Sequence, residues 1–200
     1  MDIIKKLAQE LAIKEEQAKA AVQLIDEGNT IPFIARYRKE MTGALNDETL
    51  RNLHERLLYL RNLEEKKEQV INAITDQGKM TEDLKKKILS AETLVAVDDL
   101  YRPYRPKKQT RATKAKEKGL EPLANILLLQ KTTKSMEEEA AAFVNAEKGV
   151  ANAKEAIAGA KDIIAEMIAD MADYRKSIRN CTMKQGSLVV KAKDEKAESV

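Results

Sequence analysis

The 200-residue sequence has no tryptophan, one cysteine (Cys181), one histidine (His54), two phenylalanines, seven glycines and four prolines. A lone cysteine excludes an internal disulfide, and with one histidine no Cys/His set has zinc-ligand spacing, so no structural metal is expected. The same scarcity removes Ser-His-Asp and Cys-His arrangements and leaves His54 as the only imidazole base. His54 directly follows Leu53 on an expected long helix and reads as a partly exposed helical residue. Neither G-x-x-x-x-G-K-[ST] nor G-x-G-x-x-G occurs, so no nucleotide-type phosphate cradle is expected. Acidic neighbours such as Asp98 and Asp99 project about 100° apart on a helix and would not converge on one substrate atom. These absences predict no catalytic residue, no cofactor, no small-molecule substrate and no enzyme. No run approaches the roughly 18 apolar residues of a membrane span, and MDIIKKLAQE reads as an amphipathic helix start rather than a signal-peptide core. The expectation is a cytoplasmic chain with no membrane partner.

What is present is charge. Hydrophobic residues make up 43% and charged residues 34% of the chain, the profile of a soluble globular protein of one large or two small domains. The charge is unevenly placed. Eight cations (Arg102, Arg105, Lys107, Lys108, Arg111, Lys114, Lys116, Lys118) fall between Tyr101 and Lys118 against Glu117 alone, a net of +7, while the whole chain carries +3. The remainder is therefore at −4. Tyr101 and Tyr104 are interleaved with these cations, and Pro103 and Pro106 stiffen the segment. Phosphate contact combined with base stacking calls for these residue types, so RNA or DNA is the expected partner. The candidate nucleic-acid-binding residues are Arg102, Tyr104, Arg105, Lys107, Lys108, Arg111 and Lys114. The plainer alternative is a rigid connector whose two rings pack under neighbouring helices.

Helical periodicity dominates, and capping signals delimit the elements. Helices are predicted from Asp2 to Leu11 and from Lys14 to Glu27, the second with Ala18, Ala21, Val22 and Ile25 on one face and Gly28 just past its end. Pro32 fits the first turn of a short helix closed by Gly43. Asn46 should cap a helix reaching Asp76, about 45 Å long. Its row Leu50, Leu53, Leu57, Leu60, Ile71 and Ile74 is interrupted by Glu64 and Lys67, which disfavours a continuous coiled coil and predicts a change of packing partner midway. Further helices are expected from Thr81 to Leu89, Thr93 to Tyr101, Thr110 to Lys118 and Pro122 to Leu129. The Thr110–Leu129 pair, with Ala115 and Gly119 four apart, suggests a helix-turn-helix-like hairpin. Ser135 with Glu138 and Asn152 with Glu155 should cap helices from Met136 and Ala153, the latter rich in alanine and suited to close packing. Alternation over Ser187 to Lys193 suggests one short strand lacking a partner. The fold class is thus all-α with a long central helix. Its expected divisions are residues 1–80, 81–130 with the basic loop, 131–186 with the alanine-rich helices, and 187–200 as the start of a linker or strand. The unpaired strand suggests the front part of a longer protein.

The motif IPFIARYRKEMTG, Ile31 to Gly43, is expected to be architectural. A helix this short does not persist alone, so Phe33 or Ile34 with Tyr37 should pack on the long helix near Leu53 and Leu57. Arg36 and Arg38 are expected to pair with Glu40, Asp47 or Glu55, the alternative being that they extend the basic face to phosphate.

Three stretches, GNTIPFIARYRKEMTGALNDETL, DDLYRPYRPKKQTRATKAKEKGLEPLA and AAAFVNAEKGVANAKEAIAGAKDIIAE, resemble the Tex family of bacterial transcription accessory proteins, and the likeness runs from Met1 to about Lys191. The eukaryotic transcription elongation factor of the same superfamily is a more distant relative. The resemblance implies a mostly helical N-terminal region leading, in the whole protein, into an RNase H-like domain, helix-hairpin-helix motifs and a C-terminal OB-fold that carries much of the nucleic-acid binding. Arg102 stands where family members often have an apolar residue, as in Leu-Tyr-Leu-Pro-Tyr, so its charge is a departure from the pattern. Two roles follow as expectations. One is a helical module holding RNA or DNA with slight sequence preference, and the other is a scaffold for transcription or translation machinery or for downstream domains.

Overall fold

In the computed structural model, which describes residues 2–106 and 108–191, helices begin largely where short polar side chains can accept a first-turn N–H. Among these residues there are twelve α-helices, one 3-10 turn and no strand, an all-α fold. The chain divides into two compact units, Met1–Tyr101 and Arg102–Val200.

In the first unit, Asp2 accepts from Lys5 N at 3.2 Å and opens α1 (Ile3–Glu10). Helix α2 (Glu15–Asp26) is followed by Gly28 at φ +84°, a left-handed stop. Then come α3 (Ile31–Tyr37), with Pro32 in its first turn, and the single-turn α4 (Lys39–Thr42). Asn46 accepts from Thr49 N at 2.7 Å to start α5 (Asp47–Asp76), 30 residues long with the expected bounds. Thr81 caps α6 (Glu82–Ser90), and α7 (Leu94–Tyr101) closes the unit.

The buried row on α5 is Leu50, Leu53, Leu57, Leu60, Leu63, Lys67, Val70 and Ile74. It differs from the expected seam by using Leu63 and Val70 in place of Glu64 and Ile71. A straight helix drifts against a 3.5-residue repeat, so over 30 residues the inward side moves by one position. The partner changes midway as well. Leu50 to Leu60 share a core with Leu7, Ala18, Ala21, Val22, Leu24 and Ile34, whereas α5 also meets α6 and α7. Lys67, only 2% exposed, belongs to the row because its amine has partners: Nζ donates to Glu64 Oε1 at 2.8 Å and to Leu89 O at 2.9 Å. It thereby satisfies a last-turn carbonyl of α6.

Two bidentate ion pairs hold α1 and α2 to α5. Arg56 grips Glu10 at 2.6 and 2.9 Å, and Arg61 grips Asp26 at 2.7 Å through both nitrogens. The guanidinium hydrogen bonds hold both carboxyls below their ordinary values, 4.5 for Glu10 and 3.8 for Asp26, against the upward push of desolvation.

The Ile31–Gly43 motif departs from expectation in its exposed face. Ile34 is fully buried in the core with Leu53 and Leu57, but Phe33 is 36% and Tyr37 61% exposed. With about 100° per residue, α3 can turn one residue squarely inward, and Ile34 takes that place. The expected carboxylate pairs of Arg36 and Arg38 do not form. Asp47 is held instead by Arg51 at 2.7 Å, and the Arg38 guanidinium lies 5.2 Å from the Phe33 ring centre. The motif's far end is architectural: Gln17 Nε2 donates to Thr42 O at 3.2 Å and to Gly43 O at 3.0 Å. A Cβ on Gly43 would lie 2.8 Å from that same nitrogen, and φ there is +60°.

In the second unit a 3-10 turn, Arg102–Tyr104, leads to α8 (Arg111–Glu117), α9 (Glu121–Leu129), α10 (Met136–Ala141), α11 (Ala153–Asp170) and α12 (Ala172–Gln185). Helix α11 is the hub, packing with α8, α9, α10 and α12. Its small residues make this possible: Ala156 and Ala160 are buried, and a Cβ on Gly159 would fall 2.4 Å from Leu120 Cδ1 and 3.3 Å from Ala115 Cβ. The turn expected at Gly119 is present at φ +82°, and the small side chain of Ala115 serves the approach of α8 to α11. Ser135 and Glu138 form the expected reciprocal cap of α10. At α11, Asn152 accepts from Glu155 N at 2.9 Å while Glu155 reaches one residue further back, to Ala151 N.

The short strand does not form over Ser187–Lys191, which has no regular structure, and the remaining positions of that expectation, Ala192 and Lys193, lie outside the described residues. Apolar alternation selects a strand only where another strand accepts its ladder.

Candidate nucleic-acid interface

Most of the basic segment lies along one side of α11. Helix geometry puts residues four apart on one face, and α11 carries Asp162, Glu166 and Asp170 at that interval. The segment meets this row in reverse order. Arg102 Nε donates to Asp170 Oδ1 at 2.9 Å, Thr110 Oγ1 donates to Glu166 Oε1 at 3.0 Å, and Arg111 Nε stands 3.6 Å from Asp162 Oδ1. Thr110 also caps α8 by accepting from Thr113 N at 3.0 Å. The acidic row was missed in the sequence, although a four-residue carboxylate repeat on one face of the helix was the signal for it.

The seven predicted site residues therefore separate. Arg102 is half engaged by Asp170, and Tyr104, at the end of the 3-10 turn, is half-buried rather than an open stacking platform. Arg105 and Lys108 are exposed, and Lys107 lies outside the described residues. Arg111 and Lys114 come together on a groove between α8 and α11 with a volume of about 270 Å³, joined there by Lys118, with Gly159 and Leu120 also lining it. Arg102, Tyr104, Arg105 and Lys108 do not line the groove. Glu155 and Asp162 do, so it is mixed in sign with a cationic margin. Lys118 Nζ donates to Gly149 O at 2.7 Å, and Lys116 pairs with Glu121 at 3.4 Å. Among the described residues, Lys108 and Lys114 have no carboxylate partner.

Among the described residues no three His, Cys, Asp or Glu side chains are placed to hold a metal ion, and no helix is long and apolar enough to cross a membrane.

The sequence has relatives among known proteins. Residues 1–75 match the Tex-like protein N-terminal domain, and residues 131–200 match the Tex central region-like family. The chain belongs to the Tex family. It is 47% identical over 183 residues to Protein YhgF of Escherichia coli (strain K12), covering 92% of this chain and 24% of that protein. It is 42% identical over 201 residues to the Transcriptional accessory protein Tex of Neisseria gonorrhoeae, covering 99% and 26%. It is 32% identical over 186 residues to the human S1 RNA-binding domain-containing protein 1, covering 92% and 18%. The chain thus spans about a quarter of the length of the bacterial relatives it matches.

Proposed function

We propose that this chain is a non-enzymatic helical module of a cytoplasmic transcription accessory factor, and that it helps hold RNA or DNA through phosphate contacts from the second unit. The observation that carries this reading is the groove between α8 and α11, where Arg111, Lys114 and Lys118 stand on one rim. Lys108 and Arg105, outside the groove, are exposed as well. Backbone contacts of this kind position a nucleic acid without reading its sequence, so preference among sequences is slight. The names of the relatives, one a transcriptional accessory protein and one an S1 RNA-binding domain-containing protein, agree with a role in transcription or RNA handling. Filter binding of a single-stranded RNA between about 50 and 200 mM salt tests the reading, since affinity gained by counterion release falls with a log-log slope near −0.7 per contacted phosphate. A Lys108→Glu/Lys114→Glu protein should bind more weakly and with a shallower slope. Equal affinities and slopes would overturn the assignment.

A second role, as a platform for RNA polymerase, the ribosome or the protein's own downstream domains, has one specific observation in its favour. Met171, Tyr174 and Ile178 form an exposed apolar stripe at i, i+3 and i+7 along the start of α12, and no residue of α12 is buried. Cross-linking that recovered only nucleic acid would count against it.

A further inference from the structure

We infer that the α3–α4 surface of the first unit is a second contact site for single-stranded nucleic acid, built from Tyr37 and Phe33 as a stacking platform and Arg36, Arg38 and Lys39 as phosphate contacts. The inference shares its class of ligand with the reading above and rests on different residues in a different unit. Phe33 and Tyr37, four apart on α3, hold their ring centres 5.3 Å apart at 46°, with Tyr37 61% exposed. Two rings side by side in water forgo the burial that aromatic side chains ordinarily obtain, in a chain with seven aromatic residues altogether. Arg38 covers one side of Phe33, its guanidinium carbon 5.2 Å from the ring centre, and donates from Nη1 to Tyr37 O at 3.2 Å. That bond fixes the guanidinium beside the rings and leaves further donors on it available. Arg36, Lys39 and Met41 are exposed on the same two helices.

The charge balance identifies the partner. Among the described residues no carboxylate pairs with Arg36, Arg38 or Lys39, and Glu40 is the one acidic residue between Ile31 and Thr42. The basic segment of the second unit, by contrast, spends part of its charge on Asp162 and Asp170. Unpaired guanidinium groups next to open π faces suit a polyanion with flat bases, since stacking accepts any base and the cations follow its backbone. The platform is also rigid. Ile34 anchors it in the core, buried Thr42 donates from Oγ1 to Arg38 O at 3.2 Å, and Gln17 clamps its far end.

Fluorescence anisotropy with labelled single-stranded oligonucleotides, ribo- and deoxyribo- forms in parallel, tests the site on the whole 200-residue chain. Tyr37→Ala should weaken binding by roughly 5- to 150-fold with the salt slope unchanged, the loss of about one stacked base. Tyr37→Phe should bind like the wild type. An Arg36→Gln/Lys39→Gln protein should lower the magnitude of the slope by about 1.4, two phosphates' worth. The readings separate cleanly. If Tyr37→Ala binds as the wild type does while Lys108→Glu/Lys114→Glu fails, this site is wrong and the earlier one stands. A wild-type chain that binds neither oligonucleotide overturns both. An acidic peptide of equal charge that binds as tightly, with the same loss in Tyr37→Ala, overturns the assignment to nucleic acid.

Discussion

Arg102 Nε donates to Asp170 Oδ1 at 2.9 Å across 68 positions of sequence, with the carboxylate side chain 12% exposed. The pair is one end of a ladder, continued by Thr110 with Glu166 and Arg111 with Asp162, that lays the basic segment along α11. The segment is thus both structural and cationic. Its carboxylates compete with any phosphate for the same guanidinium groups. An Asp162→Asn protein should therefore lose little stability, about 1 kcal/mol or less, because Arg111 is 86% exposed. It should also bind single-stranded RNA severalfold more tightly. Thermal melting and filter binding on one preparation check both halves, and weaker binding would mean that the row positions the arginines rather than competing for them.

Ile34 and Phe33 are neighbours with opposite fates. Ile34→Ala should destabilise by about 2–5 kcal/mol, the range for a fully buried aliphatic side chain. Phe33→Ala should cost clearly less, because a ring 36% exposed leaves no closed cavity behind. Urea midpoints at constant slope are the measurement. A larger loss at Phe33 would return the motif to the purely architectural role its sequence suggested.

Much of the scaffold was legible in the sequence because caps and helix stops are local chemistry. Asn46, Thr81, Thr110, Ser135 and Asn152 all open helices by accepting a backbone N–H. What escaped depends on partners distant in the chain. Lys67 looked like an interruption of the apolar row because its acceptor, Leu89 O, lies 22 residues away. The neutralisation of Arg102 and Arg111 by α11 is hidden for the same reason. For the candidate site, composition located the cations, but which of them share a groove is set by the packing of α8 on α11.

That packing depends on Gly159. Gly159→Val places a branched side chain where Leu120 Cδ1 already stands 2.4 Å from the first added carbon, and Leu120 is 1% exposed with little room to withdraw. Overpacking of this kind costs about 1–3 kcal/mol, and the gain in helix propensity over glycine is only a few tenths. A lower melting temperature is expected, together with weakened RNA binding, since the groove between the two helices would widen. Unchanged melting would show that α8 can ride further from α11 at no cost.

The ion pairs of the first unit predict an acid-side loss of stability. Hydrogen bonds from Arg56 and Arg61 hold Glu10 and Asp26 below 4.5 and 3.8, so on acidification the unfolded chain takes up protons first. The contribution of each pair is complete above its ordinary value and is lost as pH falls through the lower, folded one. Urea midpoints measured from about pH 6 down to about pH 3 should fall more steeply for the wild type than for an Arg56→Met/Arg61→Met protein. Parallel curves would show that these pairs are not the source.

Direct mapping of contacts tests the central claim, that this helical chain holds nucleic acid through its cationic surfaces. A single-stranded RNA carrying photoreactive bases would be irradiated with the purified chain at low salt, and the adducts located by mass spectrometry of the peptides. The account predicts adducts in the peptides from Arg105 to Lys118, reduced in Lys108→Glu/Lys114→Glu and suppressed as salt rises. Adducts confined to α9 and α10, or none under conditions where the oligonucleotide is bound, would contradict it.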